Sequence, residues 1–251
     1  MTIKGFDPLS TIDDPAGLSL VLFTGGCNLR CPYCYNRSLV DEMGEEYPRD
    51  EILRIIESRR KYISSAVICG GEPTVGNVRQ LKQTIIDVRK FGYRIKLDTN
   101  GIFFANLASI LKDNLVDYVA MDIKAALTSY TELLAPALRG KMTPHKVREN
   151  LLWSVSILHE NVQSGMLHDY ELRTTCVKPF VSVEMFQSVI EDIRGILPAG
   201  TQIPNWYLQP AKLDTAVMIP DYEMEAATKE DMAAYLEVLQ SSGLVNNAKI
   251  R

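Results

Sequence analysis

Short apolar runs alternate with longer amphipathic segments along most of this chain. Six of the runs are nearly continuous in apolar residues, as is typical of parallel strands that are covered on both faces. These predicted strands span residues 18–24, 65–69, 94–98, 118–121, 170–176 and 206–209. The alternation of strands and helical segments predicts an α/β fold in which right-handed crossovers connect neighbouring strands.

Helix ends can be recognised between these runs. Asn77 precedes an apolar stripe with helical spacing and Gly92 follows it, so we predict a helix between them. Thr143 followed by Pro144 indicates the start of another helix, because a capping side chain and a proline in the first turn favour that end. Six strand–helix units predict a partial (β/α)6 TIM-like barrel of parallel strands.

Neither a repeat, a low-complexity tract nor a long linker divides the sequence. We therefore expect one domain over residues 1–251, with a core over about 16–212 and a C-terminal helical extension over about 213–251. Apolar residues make up 46% of the chain and charged residues 23%, which is ordinary for a globular protein.

Charge and hydropathy exclude some classes of partner. The apolar run near the N-terminus is too short to cross a bilayer, and no basic segment precedes it, so we expect neither membrane insertion nor export. The 27 basic and 31 acidic residues give a net charge of −4. Because nucleic-acid binding normally needs a basic face, we expect no nucleic-acid partner.

Three cysteines lie within eight residues, namely Cys27, Cys31 and Cys34 in GGCNLRCPYCYN. This C-x3-C-x2-C spacing offers three thiolates where a four-iron cluster takes four ligands. One iron is then left open for a substrate or cofactor, whereas cysteines usually bind every iron of an electron-transfer cluster. An odd total of five cysteines, three of them clustered, does not predict a disulfide framework and indicates a reducing cytoplasm.

Other interpretations of the cysteines stay open at this point. Structural zinc takes four ligands, usually as two pairs, but the next cysteine is Cys69 and the three histidines are scattered. Cys69 and Cys176 each lie in an apolar predicted strand, so we interpret both as buried structural cysteines. A non-catalytic metal-binding or interaction module would keep the triplet only for its structure.

Chemically distinctive stretches follow the predicted strands directly. The site of a parallel barrel lies at the C-terminal ends of its strands, so residues there are expected to share one rim. In strand order these features are the cysteine triplet, Gly70-Gly71-Glu72-Pro73, Asp98-Thr99-Asn100-Gly101, Asp122-Ile123-Lys124, Arg173 within the fifth strand and Gln209 at the end of the sixth.

With these stretches assembled, the chain resembles the radical S-adenosylmethionine (SAM) enzymes over nearly its whole length. Tyr33, just before the third cysteine, fits the aromatic preference of those enzymes. More narrowly, the chain resembles the glycyl-radical-enzyme activases, first those of anaerobic ribonucleotide reductase and next those of pyruvate formate-lyase. The narrower resemblance rests on STIDDPAG, VICGGEPT, KLDTNG, VDYVAMDIKA and ELRTT.

The resemblance implies one 4Fe–4S cluster on the triplet, with SAM bound to the open iron through its amino nitrogen and carboxylate. It implies that Glu72 and its preceding glycines orient the methionine ammonium, that Lys124 pairs with the SAM carboxylate, and that Asp122 faces the ribose. Further implied cofactor contacts are Tyr33, Gly70, Gly71, Asp98, Asn100, Arg173 and Gln209. Asp98 and Asp122 are implied ligands of a monovalent cation, and a structural ion pair is the alternative role for Arg173.

The implied reaction is reductive cleavage of SAM to methionine and a 5′-deoxyadenosyl radical, which takes a hydrogen atom from a glycine Cα of a partner enzyme. Anaerobic ribonucleotide reductase is the first choice of partner, and a low-potential donor such as flavodoxin or ferredoxin supplies the electron. A radical SAM enzyme that acts on a small molecule or RNA is the alternative. Tyr35 stands where relatives often have histidine, and we interpret residues 127–142 as a specificity loop.

Overall fold

A single sheet organises the computed structural model, which describes residues 2–213, 217–219 and 221–251. Its strands are β1 (Ile3–Asp14), β2 (Gly17–Thr24), β3 (Ser65–Gly70), β4 (Arg94–Thr99), β5 (Tyr118–Asp122), β6 (Asp169–Lys178), β7 (Ile203–Pro210), β8 (Glu225–Ala226) and β9 (Val245–Ile250). The helices are α1 (Arg37–Val40), α2 (Arg49–Arg59), α3 (Val78–Arg89), α4 (Phe104–Lys112), α5 (Tyr130–Leu133), α6 (Pro144–Gln163), α7 (Val183–Arg194) and α8 (Lys229–Ser241).

Strands β2 to β7 are parallel and lie beside one another in chain order. Every crossover between them carries at least one helix. Each of the six predicted strands is contained in a different one of these observed strands. The α/β class with a partial parallel barrel is therefore confirmed. The two predicted caps are also confirmed, because Asn77 accepts from Arg79 N–H at the start of α3 and Thr143 accepts from Lys146 N–H at the start of α6.

Strand β1 forms an antiparallel hairpin with β2 that the hydrophobic pattern did not predict. Its sequence, IKGFDPLSTIDD, holds no continuous apolar run, and its pairing with β2 shifts register at 3 points. An edge strand of this kind needs to bury little of its surface, so it leaves only a weak signal in the sequence.

The C-terminal region differs from the predicted helical extension. Helix α8 lies there, but the chain continues into β9, which joins the main sheet parallel to β7. Val245 and Ala248 are buried in this strand, whereas Asn247 donates to Asn205 and Tyr207 on the neighbouring strand. Because only half of VNNAKI is apolar, the segment lacks the continuous run by which the other strands were predicted.

The two faces of the sheet differ in polarity: the face under the helices is apolar, and the face toward the barrel interior carries polar and charged residues. Along β4, Ile95 and Leu97 join the hydrophobic core between the sheet and the helices, while Lys96 alternates with them and points to the other face. Glu171 likewise alternates with core residues on β6, and both charged residues are only 1% exposed. Among the described residues, no helix is long and apolar enough to cross a membrane.

A core substitution in α8 tests whether the C-terminal region folds with the barrel. Leu239 is 0% exposed, so Leu239→Ala should lower the free energy of unfolding by about 2–5 kcal/mol in one cooperative urea transition followed by circular dichroism. The exposed Glu237→Ala in the same helix should change it by less than about 0.5 kcal/mol. A separate early transition in Leu239→Ala would show that the region unfolds on its own.

Candidate active site

The cysteine triplet lies in the loop that follows β2. A backbone hydrogen bond from Cys34 N–H to the Cys31 carbonyl (3.0 Å) closes its second half. Leu29 N–H donates to Cys27 Sγ at 3.3 Å, so one backbone donor already faces a sulfur. All three side chains are buried or partly buried, and none forms a disulfide.

Cys27 and Cys31 lie in surroundings that raise the pKa values of their thiols. Burial, followed by the charge of Glu72, raises the pKa of Cys27 to about 12. Burial also raises the pKa of Cys31 to about 11, although the charge of Lys124 opposes that shift. A metal that binds such thiols displaces their protons, and its positive charge then compensates the negative charge of the thiolates.

The residues of this loop fit an iron–sulfur cluster. Three thiols offer soft ligands, and Asn28, beside Cys27, holds a buried amide nitrogen with no hydrogen-bond partner in the described chain. Cluster sulfurs accept such hydrogen bonds. No three His, Cys, Asp or Glu side chains among the described residues are arranged to hold a single metal ion.

The glycine turn after β3 packs directly on the backbone of the cysteine loop. Gly71 N–H donates to the Thr24 carbonyl (2.9 Å), and Glu72 N–H donates to the Gly26 carbonyl (2.8 Å). A Cβ at Gly70 or Gly71 would overlap these backbone atoms, and Gly70 also has a φ of +126°. The two glycines therefore allow a close approach within the protein itself, whereas the sequence suggested an approach to SAM.

Glu72 turns its carboxylate into the protein and is only 2% exposed. One oxygen accepts from Thr74 N–H (3.0 Å), Thr74 Oγ1 (2.6 Å) and Thr99 Oγ1 (2.7 Å), and the other accepts from Asn100 N–H (2.6 Å). Burial raises the pKa of Glu72, and these hydrogen bonds oppose that shift. The carboxylate thus joins the ends of β3 and β4, and its implied contact with the SAM ammonium stays a prediction.

Asn100 connects the end of β4 to the cysteine loop. Its Nδ2 donates to Asn28 Oδ1 at 2.8 Å, and its Oδ1 accepts from Ile102 N–H at 3.1 Å. The residue was predicted to contact the cofactor. In the structure its side chain contacts the loop that carries the thiols.

Five charged side chains form a row across the ends of β4, β5 and β6. Arg173 lies in the middle and donates to Asp98 (2.8 Å) and to Asp122 (2.8 Å). Lys96 pairs with the far side of Asp98, and Lys124 pairs with the far side of Asp122 at 3.0 Å. Three cations and two carboxylates leave the row with one positive charge in excess.

The row ends beside the triplet. Burial alone would raise the pKa of Asp122, but the charges of Arg173 and Lys124 outweigh it and lower that pKa to about 2. Lys124 is held charged by Asp122, and its charge reaches Cys31 and Tyr33 of the cysteine loop. Arg173 makes two ion pairs, which agrees with the structural role given as its alternative. Its guanidinium lies between Asp98 and Asp122, the two carboxylates implied as ligands of a monovalent cation.

The stretch interpreted as a specificity loop, residues 127–142, contains a buried segment that is hydrogen-bonded to the backbone of the cysteine loop. Arg30 N–H donates to the Leu133 carbonyl (2.7 Å), and Ala135 N–H donates to the Asn28 carbonyl (2.8 Å). In the same stretch the hydroxyl of Tyr130 accepts from Lys124 N–H at 2.6 Å. Because Tyr130 is fully buried, this segment fixes the Lys124 turn and the cysteine loop against each other.

The remaining predicted residues lie in different surroundings. Tyr33 is buried and packs on Phe180, with ring centroids 5.7 Å apart, whereas Tyr35 is 63% exposed. Gln209 lies near the end of β7, opposite Thr175 of β6.

The two cysteines outside the triplet differ from each other. Cys176 is buried in the apolar core, as predicted. Cys69 is only partly buried and lies outside that core, near enough to Asp98 for this charge to add to burial in raising its pKa. Interpreting Cys69 as a buried cysteine was wrong, because the fully buried part of β3 ends at Ile68 and Cys69 follows it near the end of the strand.

Comparison with known proteins identifies the class that this fold and site define. A family model described as the radical SAM superfamily matches residues 21–167. The chain is 30% identical over 195 residues to a glycyl-radical enzyme activating enzyme of Methanocaldococcus jannaschii, covering 76% of this chain and 73% of that protein. It is 31% identical over 251 residues to the pyruvate formate-lyase-activating enzyme of Clostridium pasteurianum, covering 94% and 97% respectively.

The chain therefore belongs to the radical SAM superfamily and is an enzyme of that group. Within the superfamily, it falls with the glycyl-radical enzyme activating enzymes. The superfamily implies a 4Fe–4S cluster and SAM as cofactors, in agreement with the donor set described above.

Solved structures support the fold alone. The structure of Streptococcus suis SuiB bound to precursor peptide SuiA is similar with a TM-score of 0.59 and 12% identity, and the match covers 91% of this chain and 47% of that one. Native anSMEcpe with bound AdoMet and a Kp18Cys peptide gives a TM-score of 0.54 and 16% identity, covering 93% and 63%. The chain thus spans between about half and two thirds of these structures.

A methyl group at Gly71 should break the contact between the glycine turn and the cysteine loop. Because its Cβ would overlap the Gly26 carbonyl, Gly71→Ala should lower the free energy of unfolding of the metal-free protein by about 1–3 kcal/mol or more. Gly195→Ala is the control, since its backbone is helical and its nearest neighbour would lie 3.4 Å away. It should stay within roughly 1 kcal/mol of the parent. Equal urea midpoints for the two variants would contradict the close approach.

Proposed function

We propose that this protein generates a glycyl radical on a partner enzyme by reductive cleavage of SAM. The observation that carries the proposal is the meeting of two features at one rim. Three thiols lie in the cysteine loop, and a charge row with one excess positive charge ends at Lys124 beside them. Similarity to activating enzymes over most of the chain supports the choice of reaction.

Each feature has a role in binding. Cys27, Cys31 and Cys34 would hold three irons of a 4Fe–4S cluster, and SAM would take the fourth. Lys124 would bind the carboxylate of SAM, because it is a compact ammonium at the end of the row beside the triplet and shares its one carboxylate, Asp122, with Arg173. Arg173 keeps Asp122 in place and ionised, so that the carboxylate does not turn away from Lys124.

When bound, the reduced cluster supplies one electron that breaks the C5′–S bond of SAM, giving methionine and a 5′-deoxyadenosyl radical that takes one hydrogen atom from a glycine Cα. The chain's contribution is to orient SAM and to keep other hydrogen donors away.

Anaerobic ribonucleotide reductase is the partner that we propose first, on the sequence stretches described above. A formate-lyase-type glycyl radical enzyme is the second candidate, because a named relative activates pyruvate formate-lyase. A low-potential flavodoxin or ferredoxin in an anaerobic cytoplasm would supply the electron. A monovalent cation beside Asp98 and Asp122 stays a prediction, and it would have to share these carboxylates with Arg173.

The partner assignment can be tested by electron paramagnetic resonance. The reconstituted protein, SAM and a reductant are incubated without oxygen with the anaerobic ribonucleotide reductase or with the formate-lyase-type enzyme of the same organism. We expect a glycyl doublet with the reductase and about one 5′-deoxyadenosine per radical, as the hydrogen transfer requires. A doublet only with the second enzyme would reassign the partner. SAM cleavage without a doublet on either enzyme would favour a small-molecule substrate.

Two cysteine variants test the ligand assignment. Cys34→Ala removes one of three thiolates, so cluster-dependent SAM cleavage should fall to background. Cys176→Ala removes a buried thiol in the core and should leave cleavage near the parent level. The measurements are iron content, sulfide content and 5′-deoxyadenosine released under dithionite. Equal losses in the two variants would contradict the assignment, and colourless parent protein with one bound zinc would contradict the enzyme proposal.

A further inference from the structure

A chain of hydrogen bonds fixes how two amide side chains are oriented between β4 and the cysteine loop. The backbone N–H of Ile102 can only donate, so the Asn100 atom that faces it at 3.1 Å must be Oδ1. Asn100 then presents Nδ2 to Asn28 at 2.8 Å, and the Asn28 atom that accepts must be Oδ1. One backbone group therefore determines the orientation of both side chains.

This arrangement leaves the amide nitrogen of Asn28 without a partner. Asn28 is only 2% exposed, and its Nδ2 makes no hydrogen bond within the described residues. A buried donor that is left unpaired costs free energy, so such a group calls for an acceptor that the protein does not itself supply. Rotation of the amide would not remove the cost, because it would bring two donors, on Asn28 and Asn100, face to face.

The Asn28 side chain lies beside the first cysteine of the triplet. Its Oδ1 is the atom that faces the Cys27 thiol, and it is 3.9 Å from Cys27 Sγ. Since Nδ2 is bonded to the same carbon as Oδ1, it lies within roughly 6.5 Å of that sulfur. Its backbone position is fixed as well, because the Asn28 carbonyl accepts from Ala135 N–H.

We propose that Asn28 donates a hydrogen bond from Nδ2 to a sulfur of the cluster and that Asn100 is the positioning residue that aims it. This inference rests on the proposed function, because the acceptor is a sulfur of the cluster on the triplet. The reduced cluster carries one more negative charge than the oxidised cluster, so a donor stabilises the reduced form more. Asn28 therefore raises the reduction potential, as hydrogen bonds to cluster sulfurs do in general.

The test is a redox titration of the full-length, anaerobically reconstituted protein, followed by electron paramagnetic resonance without SAM. Asn28→Leu removes the donor and keeps a side chain of similar size without adding charge. We expect its midpoint potential to shift to a more negative value than that of the parent. Asn150→Leu is the matched control, because Asn150 also supports the β4 turn, through the Ile102 carbonyl, and does not contact the triplet. Its midpoint should equal that of the parent.

A second variant protects the test against loss of the cluster in Asn28→Leu. Asn100→Ala leaves Asn28 in place but frees its amide to turn, so it should shift the midpoint in the same direction by a smaller amount. An unchanged midpoint in both variants, at full iron and sulfide content, would overturn the proposal. A shift that appears only when SAM is added would also overturn it, since the acceptor would then be SAM. Parent protein that holds no cluster would instead contradict the proposed function.

Discussion

The buried carboxylate of Glu72 is the contact on which the rest of the site depends. Its four hydrogen bonds tie the turn after β3 to the end of β4, and its backbone N–H ties the same turn to the cysteine loop after β2. Removing a carboxylate from water costs several kcal/mol unless donors replace the lost solvent. Here the donors belong to Thr74, Thr99 and Asn100, which lie at the strand ends that form the rim. The three strand ends are therefore assembled by the protein before any cofactor binds.

Around this centre, apolar and polar residues have separate tasks. Alternation along each parallel strand sends one set of side chains to the apolar core under the helices and the other to the barrel interior. The interior set includes the row from Lys96 to Lys124, which carries one positive charge in excess and has its Lys124 end beside the triplet. Residues of α5 and just after it bind both the Lys124 turn and the cysteine loop, and so hold that end in place. An anionic group of the cofactor would complete the charge balance.

The sequence was sufficient for the six parallel strands, because continuous apolar runs report burial on both faces. It was also sufficient for the rim, because the barrel topology brings strand ends together whatever their sequence separation. It was not sufficient for β1 and β9, whose polar positions hide the strand pattern. Nor did it reveal that Arg173 bridges two carboxylates, because such partners lie 75 and 51 residues away along the chain.

The same limit explains the roles of single residues near the triplet. Asn28 and Tyr130 gave no signal in the sequence, since the side chain of Asn28 bonds Asn100, 72 residues away, and that of Tyr130 bonds only the backbone of the turn after β5. Cys69 shows a different source of error. An apolar neighbourhood in the sequence predicted burial, but the fully buried part of β3 ends at Ile68, so Cys69 near the end of the strand is only partly covered.

The most direct measurement is the free energy of unfolding of the metal-free Glu72→Gln variant, compared with the exposed Glu237→Gln in α8. Glutamine keeps the size of the side chain but replaces one accepting oxygen with a donor, which would face Thr74 and Thr99 or Asn100. We expect Glu72→Gln to lower the free energy of unfolding in urea by roughly 2–4 kcal/mol without any cofactor, and we expect no comparable loss for the control. Unchanged stability combined with loss of SAM binding would contradict it, because Glu72 would then serve the cofactor alone.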